Sequence, residues 1–280
     1  MSGLMHWEEL RSGDSGEVVL AVDSPPHGPA AADFRELTPL LETRHSVWRA
    51  VERPHSGPPR GASLDAYLAP WTDEIRSRGL RVRAVLGYSL GGIFAGVIAD
   101  GIGRSQGVAP EVLLFDPELV DTDMVLDEFR RLVSTVSPSL ATGKLERLER
   151  DGAATLDTHR DDAKALALGL YSALSHAIDD ELDAVGSTAG LALDIMNTAA
   201  ARLSSLAIAE SVDVLPLWLA GTALCSSSPD SGLSRTRTAM LLPEAALVGR
   251  EILFEEQHAE VLRSSAVARK TSELLGGPRL

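Results

Sequence analysis

Apolar positions in this chain follow two rhythms. From Glu17 to Phe115, short unbroken apolar runs alternate with helical stripes. Glu17–Val22 is one such run; Asp23-Ser-Pro-Pro-His-Gly28 closes it, so the pattern predicts a buried strand followed by a loop. Phe34, Leu37, Leu40 and Leu41 recur at helical spacing, and His45–Glu52 predicts a second strand. A Pro/Gly-rich loop follows over 53–62. Leu64, Tyr67, Leu68, Trp71 and Ile75 then share one face of a helix that Ser63 can cap. Val82–Leu86 predicts a strand, 89–100 an apolar helix, and Glu111–Phe115 another strand ending in Asp116-Pro117. Strand–helix–strand alternation of this kind argues for a mostly parallel sheet flanked by helices, an α/β architecture.

Beyond Leu119 the rhythm changes. Residues 119–211 carry helical periodicity and almost no strand-like runs, most clearly over 127–133, 163–178 and 190–209. Leu166, Leu170, Leu174 and Ile178 form one apolar helical stripe that reads as core. Strand-like runs return at Val214–Ala220 and Glu251–Phe254, separated by a Ser/Pro/Gly-rich loop over 225–234, and an apolar helix is expected over 261–275. The expected organisation is a core made of 1–118 and 212–280, with 119–211 inserted as a helical lid.

Composition narrows the options. The chain has 280 residues and a formal net charge of −14, which argues against nucleic acid as a partner. No apolar run reaches the roughly 18–20 residues needed to span a bilayer. Residues 1–14 carry Glu8, Glu9 and Asp14 and lack the apolar stretch of a signal peptide. A single cysteine, Cys225, excludes an internal disulfide framework and suits a reducing cytoplasm. Arg76, Arg78, Arg81 and Arg83 read as a solvated basic face. No metal-ligand or phosphate-loop motif is present, so no cofactor is expected.

The chemistry centres on Gly87-Tyr88-Ser89-Leu90-Gly91, a G-x-S-x-G sequence between an apolar strand and an apolar helix. That context suits a nucleophile elbow, where glycines admit a sharp turn that lifts the Ser89 hydroxyl clear of the sheet. The helix N-terminus then faces the developing negative charge. A serine nucleophile needs a base, and the base an orienting acid. His258 is the histidine that follows the last strand. Two acids compete for the third role: Asp116 at the end of the strand after the nucleophile helix, and Asp230 in the 225–234 loop. The oxyanion donors expected are the backbone N–H groups of Leu90 and His27, because Pro25 and Pro26 have none to give.

These residues resemble the thioesterase family of nonribosomal peptide and polyketide synthesis, within the α/β-hydrolase superfamily. Gly87-Tyr-Ser-Leu-Gly-Gly92 is similar to its elbow, and Val112-Leu-Leu-Phe-Asp116-Pro117 to its acid-bearing strand end. Pro25-Pro-His27 with Phe34-Arg-Glu-Leu37 is similar to its oxyanion loop and first helix, and His258-Ala-Glu-Val-Leu262 to its histidine segment. Gln257 and Ala259 depart from the Gly and Phe usual around that histidine. The resemblance implies an α/β-hydrolase fold and a Ser89 acyl-enzyme oriented by Asp116 and His258. It further implies an acyl substrate delivered on the phosphopantetheine of an acyl or peptidyl carrier protein. Three other readings share these residues: a general carboxylesterase, an acyltransferase or macrocyclase, and a non-catalytic binding protein on the same fold.

Overall fold

The computed structural model describes residues 5–23, 32–51, 63–139, 142–182 and 189–277. The chain divides into two compact units. One comprises 1–52, 65–119 and 213–280; the other comprises 53–64 and 120–212.

The first unit is built on a sheet of β1 (Trp7–Arg11), β2 (Glu17–Asp23), β3 (Ser46–Ala50), β4 (Arg81–Tyr88), β5 (Glu111–Phe115), β6 (Thr222–Cys225) and β7 (Arg250–Leu253). Their spatial order is β1-β3-β2-β4-β5-β6-β7. All neighbours run parallel except β1, which pairs antiparallel with β3. The helices among the described residues are α1 (Phe34–Leu37), α2 (Leu64–Ser77), α3 (Gly91–Gln106), α4 (Thr122–Val136), α5 (Thr142–Thr158), α6 (Ala163–Leu182), α7 (Ala189–Glu210), α8 (Leu215–Trp218), α9 (Gly232–Ala239) and α10 (Ser265–Gly276).

The unbroken apolar runs follow from burial on both sheet faces. Val19, Ala21, Ala84, Leu86, Leu113 and Phe115 point to one face, where they join Phe34 and Leu37 of α1 and Val267, Ala268 and Leu275 of α10. Alternate residues point the other way, towards α3. There a Cβ on Gly87 would stand 2.5 Å from the Gly92 Cα, and a Cβ on Gly91 only 2.2 Å from the Val22 carbonyl oxygen. Both glycines are therefore required by the close passage of α3 over β2 and β4.

The second unit is helical. The Asp121 carboxylate caps α4 by accepting the Met124 N–H at 2.8 Å. Leu166, Leu170 and Leu174 of α6 are fully buried, as are Ala199 and Leu203 of α7, against which α6 packs. Buried Glu128 of α4 accepts from Arg202 of α7 at 2.9 Å and pairs with Arg131 at 2.9 Å.

Three expectations need correction. Val214–Ala220 is not a strand: Pro216 sits in the first turn of α8, and Trp218 and Leu219 bond back to the Val214 and Leu215 carbonyls. A seven-residue apolar run reads alike as buried strand or buried turn. Burial of Val214 and Trp218, one helical turn apart, selects the turn, and the Trp218 indole N–H donates to Gly92 O at 2.9 Å. The sheet strand is the following Thr222–Cys225, while part of the expected 225–234 loop is the start of α9. Arg83 is not solvated. It is 3% exposed, pairs with Glu111 at 3.1 Å, and donates to the Leu275 and Gly277 carbonyls at 3.3 and 2.8 Å. It ties β4 to the end of α10. Among the described residues no helix is long and apolar enough to cross a membrane.

Candidate active site

Ser89, Asp116 and His258 each follow a strand of the parallel sheet, at its carboxyl edge, where α/β sheets place their ligands. Ser89 comes directly after β4. Its φ of 51° lies in the left-handed region, which costs a non-glycine residue roughly 1–2 kcal/mol. Surrounding bonds impose this turn: Ser89 N–H donates to Phe115 O at 2.9 Å, and Ser89 O accepts from Gly92 N–H at 3.0 Å. Among the described residues no acceptor takes the Leu90 N–H, which opens α3. His27 lies outside the described residues. Among the described residues, Asp23 and Asp33 share one partner, Arg49, at 2.6 and 3.8 Å.

Asp116 follows β5, also with a left-handed φ, 45°. Its carboxylate is 98% buried and surrounded by donors. Oδ1 accepts the Ser226 N–H at 3.0 Å; Oδ2 accepts Ser226 Oγ at 2.6 Å, Ser231 Oγ at 3.4 Å and His258 Nδ1 at 2.7 Å. Burial by itself raises this carboxyl's pKa. The bonds from His258 and Ser226, with the His258 charge, outweigh burial and hold it below the ordinary value, so Asp116 is an anion.

An ionised carboxylate only accepts, so His258 Nδ1 carries the proton and Nε2 is the free basic nitrogen. His258 begins a 3-10 turn, His258–Arg263, after β7. Its N–H donates to Ser228 Oγ at 2.9 Å, its carbonyl accepts from Tyr88 Oη at 3.0 Å, and its ring stacks on Tyr88 with centroids 5.1 Å apart. Burial lowers the imidazole's pKa. The Asp116 bond and the charges of Glu118 and Asp116 raise it further than burial and Arg235 lower it, so the net shift is upward. The Tyr88 hydroxyl is driven up by its own burial and by the neighbouring carboxylates, and stays a neutral donor.

The structure thus brings Asp116 and His258 into direct contact. Asp230, the competing acid, is exposed in the turn before α9. The Ser89 hydroxyl has a partner that the sequence did not suggest. It donates to Glu118 Oε2 at 2.8 Å, and no hydrogen bond joins it to His258 among the described residues. Glu118 is 4% exposed, and its Oε1 accepts the Gly232 N–H at 2.9 Å. Gly232 has φ +60°, and a Cβ there would stand 2.2 Å from Asp116 Oδ1. One glycine therefore makes room for one carboxylate and holds the other. Sequence reasoning missed Glu118, Ser226 and Gly232; the only local signal was an acid two places after Asp116 and a Ser-Gly pair before α9. Among the described residues no group of His, Cys, Asp or Glu side chains converges to hold a metal ion.

Chemically, the arrangement offers a buried hydroxyl at a strained turn, an unoccupied helix N-terminal amide beside it, and an imidazole oriented by an anionic acid. Those are the parts needed for acyl transfer through a covalent intermediate.

No family model matches this sequence, and no curated protein matches it. Solved structures do. The Vlm2 thioesterase domain, carrying 2,3-diaminopropionic acid and bound to a dodecadepsipeptide, is 15% identical over 99% of this chain and 100% of that one, with a TM-score of 0.51. The enol-lactonase from Burkholderia xenovorans is 12% identical over 97% of this chain and 96% of that one, with a TM-score of 0.52. A four-domain nonribosomal peptide synthetase bound to AMP and glycine is 13% identical over 97% of this chain and 20% of that one, with a TM-score of 0.54. These likenesses establish the fold: the chain is an α/β hydrolase in architecture.

Proposed function

We propose that this protein is a serine thioesterase that cleaves an acyl group from a carrier-bound phosphopantetheine thioester through a Ser89 acyl-enzyme. The observation that carries this reading is the 2.7 Å bond between Asp116 and His258 at strand ends flanking a serine held at φ 51°. The sequence resemblance, together with the fold shared with the Vlm2 thioesterase domain, supports a thioester as the bond cleaved.

In this mechanism Ser89 Oγ attacks the thioester carbonyl while His258 Nε2 accepts its proton. The oxyanion forms against the Leu90 N–H. Asp116 keeps Nδ1 protonated and stabilises the imidazolium. The C–S bond then breaks, and the departing sulfur takes the proton from Nε2. Water repeats the sequence on the acyl-serine. Its proton passes to Nε2 and then to Ser89 Oγ, and the acid is released.

The test is a panel of acyl-pantetheine thioesters and matched esters, followed by thiol or alcohol release and by intact mass. Thiol release is expected to be faster, with an acyl adduct on the wild type that Ser89→Ala lacks. Removing the nucleophile is expected to lower kcat by roughly 10⁴–10⁶-fold. Equal turnover of esters would make the protein a general esterase. Absence of any adduct would remove Ser89 from the nucleophile's role.

A further inference from the structure

A serine hydroxyl has one proton to give. Here it goes to Glu118, so the same proton is not directed at His258. Glu118 is buried, and its described contacts are two neutral donors, the Ser89 hydroxyl and the Gly232 N–H. No Lys or Arg forms an ion pair with it among the described residues. A carboxylate so far out of water is only part-compensated by two neutral donors, and a cation would complete it.

Position says which cation. Glu118 Oε2 stands 2.8 Å from the atom that attacks the carbonyl. In an α-aminoacyl group the amine nitrogen is two bonds from that carbonyl carbon, about 2.5 Å through space. With the carbonyl seated at Ser89 Oγ, an α-ammonium falls within reach of the same carboxylate. A charge-assisted N–H···O bond would then replace the weaker one from the hydroxyl. An acyl group with no amine, or with a blocked one, offers nothing in exchange.

We propose that Glu118 binds the free ammonium of an α-aminoacyl substrate, and that this frees the Ser89 proton for His258. The inference rests on the reading of Ser89 as the nucleophile. It narrows the acyl group to one with an unblocked amine near the reacting carbonyl, and it makes Glu118 both a specificity residue and a latch on the nucleophile.

The experiment uses the full chain and two non-hydrolysable probes, aminoacyl-pantetheine amides with the amine free or N-acetylated, titrated calorimetrically. Wild type is expected to bind the free amine at least about tenfold more tightly than the acetylated probe. Glu118→Gln keeps the side chain's length and an oxygen for Gly232, and should bring the two affinities within about twofold. Glu118→Asp keeps the charge and should retain part of the preference, which separates charge from shape. Equal affinities in wild type, or a preference that survives Glu118→Gln, would overturn the proposal. Fluorophosphonate labelling, with Ser89→Ala as the control, tests the nucleophile separately. Labelling without amine discrimination sinks the role of Glu118 and spares the hydrolase reading. Discrimination without labelling overturns the hydrolase reading, and with it the coupling to Ser89.

Discussion

Asp116 and Glu118 are two residues apart and both buried, yet they are held in opposite ways. Asp116 has four donors on its two oxygens, one of them an imidazole. Glu118 has two neutral donors, one of which is the Ser89 hydroxyl, the nucleophile of the proposed reaction. The Asp116–His258 side is saturated, so its geometry is fixed before anything binds. The Ser89–Glu118 side is less fully bonded, and in the proposed reaction it exchanges a partner before Ser89 attacks. On the proposed reading, the difference separates a rigid orienting device from the part of the site that responds to its ligand.

The strongest way to break the contrast is on the saturated side. Asp116→Asn keeps the shape but can offer an N–H to His258, which reverses the tautomer. Thioester kcat is expected to fall on the order of 10⁴-fold while far-UV circular dichroism stays unchanged. A loss of less than tenfold would mean that another group orients the base.

Gly232→Ala disturbs both sides at once. A methyl would meet Asp116 Oδ1 at 2.2 Å and sit on a left-handed backbone, so the segment has to move. We expect a stability loss of about 1–3 kcal/mol by thermal melting. A kcat loss on the order of 10²-fold should accompany it, through displacement of the two carboxylates. Wild-type kcat in a destabilised variant would show that Gly232 serves the fold alone.

The smallest effect sharpens the comparison through charge. In the proposed reaction His258 must be neutral to accept the Ser89 proton, so kcat/KM should rise with pH through its ionisation. Because its pKa is raised above 6.5, the inflection is expected above that pH. Glu118→Gln deletes one of the negative charges that raise it, so the inflection should move down. Asp116 and Arg235, the other charged groups acting on His258, remain in place. An inflection that stays put in Glu118→Gln would separate Glu118 electrostatically from the base.

The two units differ in how much of them could be read in advance. Strands β2, β4 and β5 were legible because burial on both faces leaves apolar runs, interrupted in β4 by Arg83, that end in Asp23, Ser89 and Asp116. Helices α6 and α7 were legible from their stripes. The edge strand β1 was not, since Trp7 is the only buried residue of its five and Glu8 and Glu9 break any apolar run. Helix α8 was not, since Val214–Ala220 is apolar throughout, and the burial of Val214 and Trp218 one turn apart, with the Trp218 indole on Gly92 O, distinguishes turn from strand. Arg83 looked like surface because charge is usually solvated; the carboxylate and carbonyls that receive it come from Glu111 and the far end of α10.

What the sequence determined by itself is local. A glycine on each side of Ser89, a strand before it and a helix after it dictate the elbow, because those constraints act between neighbours in the chain. The candidate residues Ser89, Asp116 and His258 could be named from order and position along the strands. Only the tertiary structure decided which partners they meet. It set His258 on Asp116 across 142 residues and Gly232 on Glu118 across 114, and it turned the Ser89 hydroxyl to Glu118. Hydrogen bonds depend on ångström-scale positions that the packing of the whole sheet sets, and no pattern of neighbouring residues encodes them.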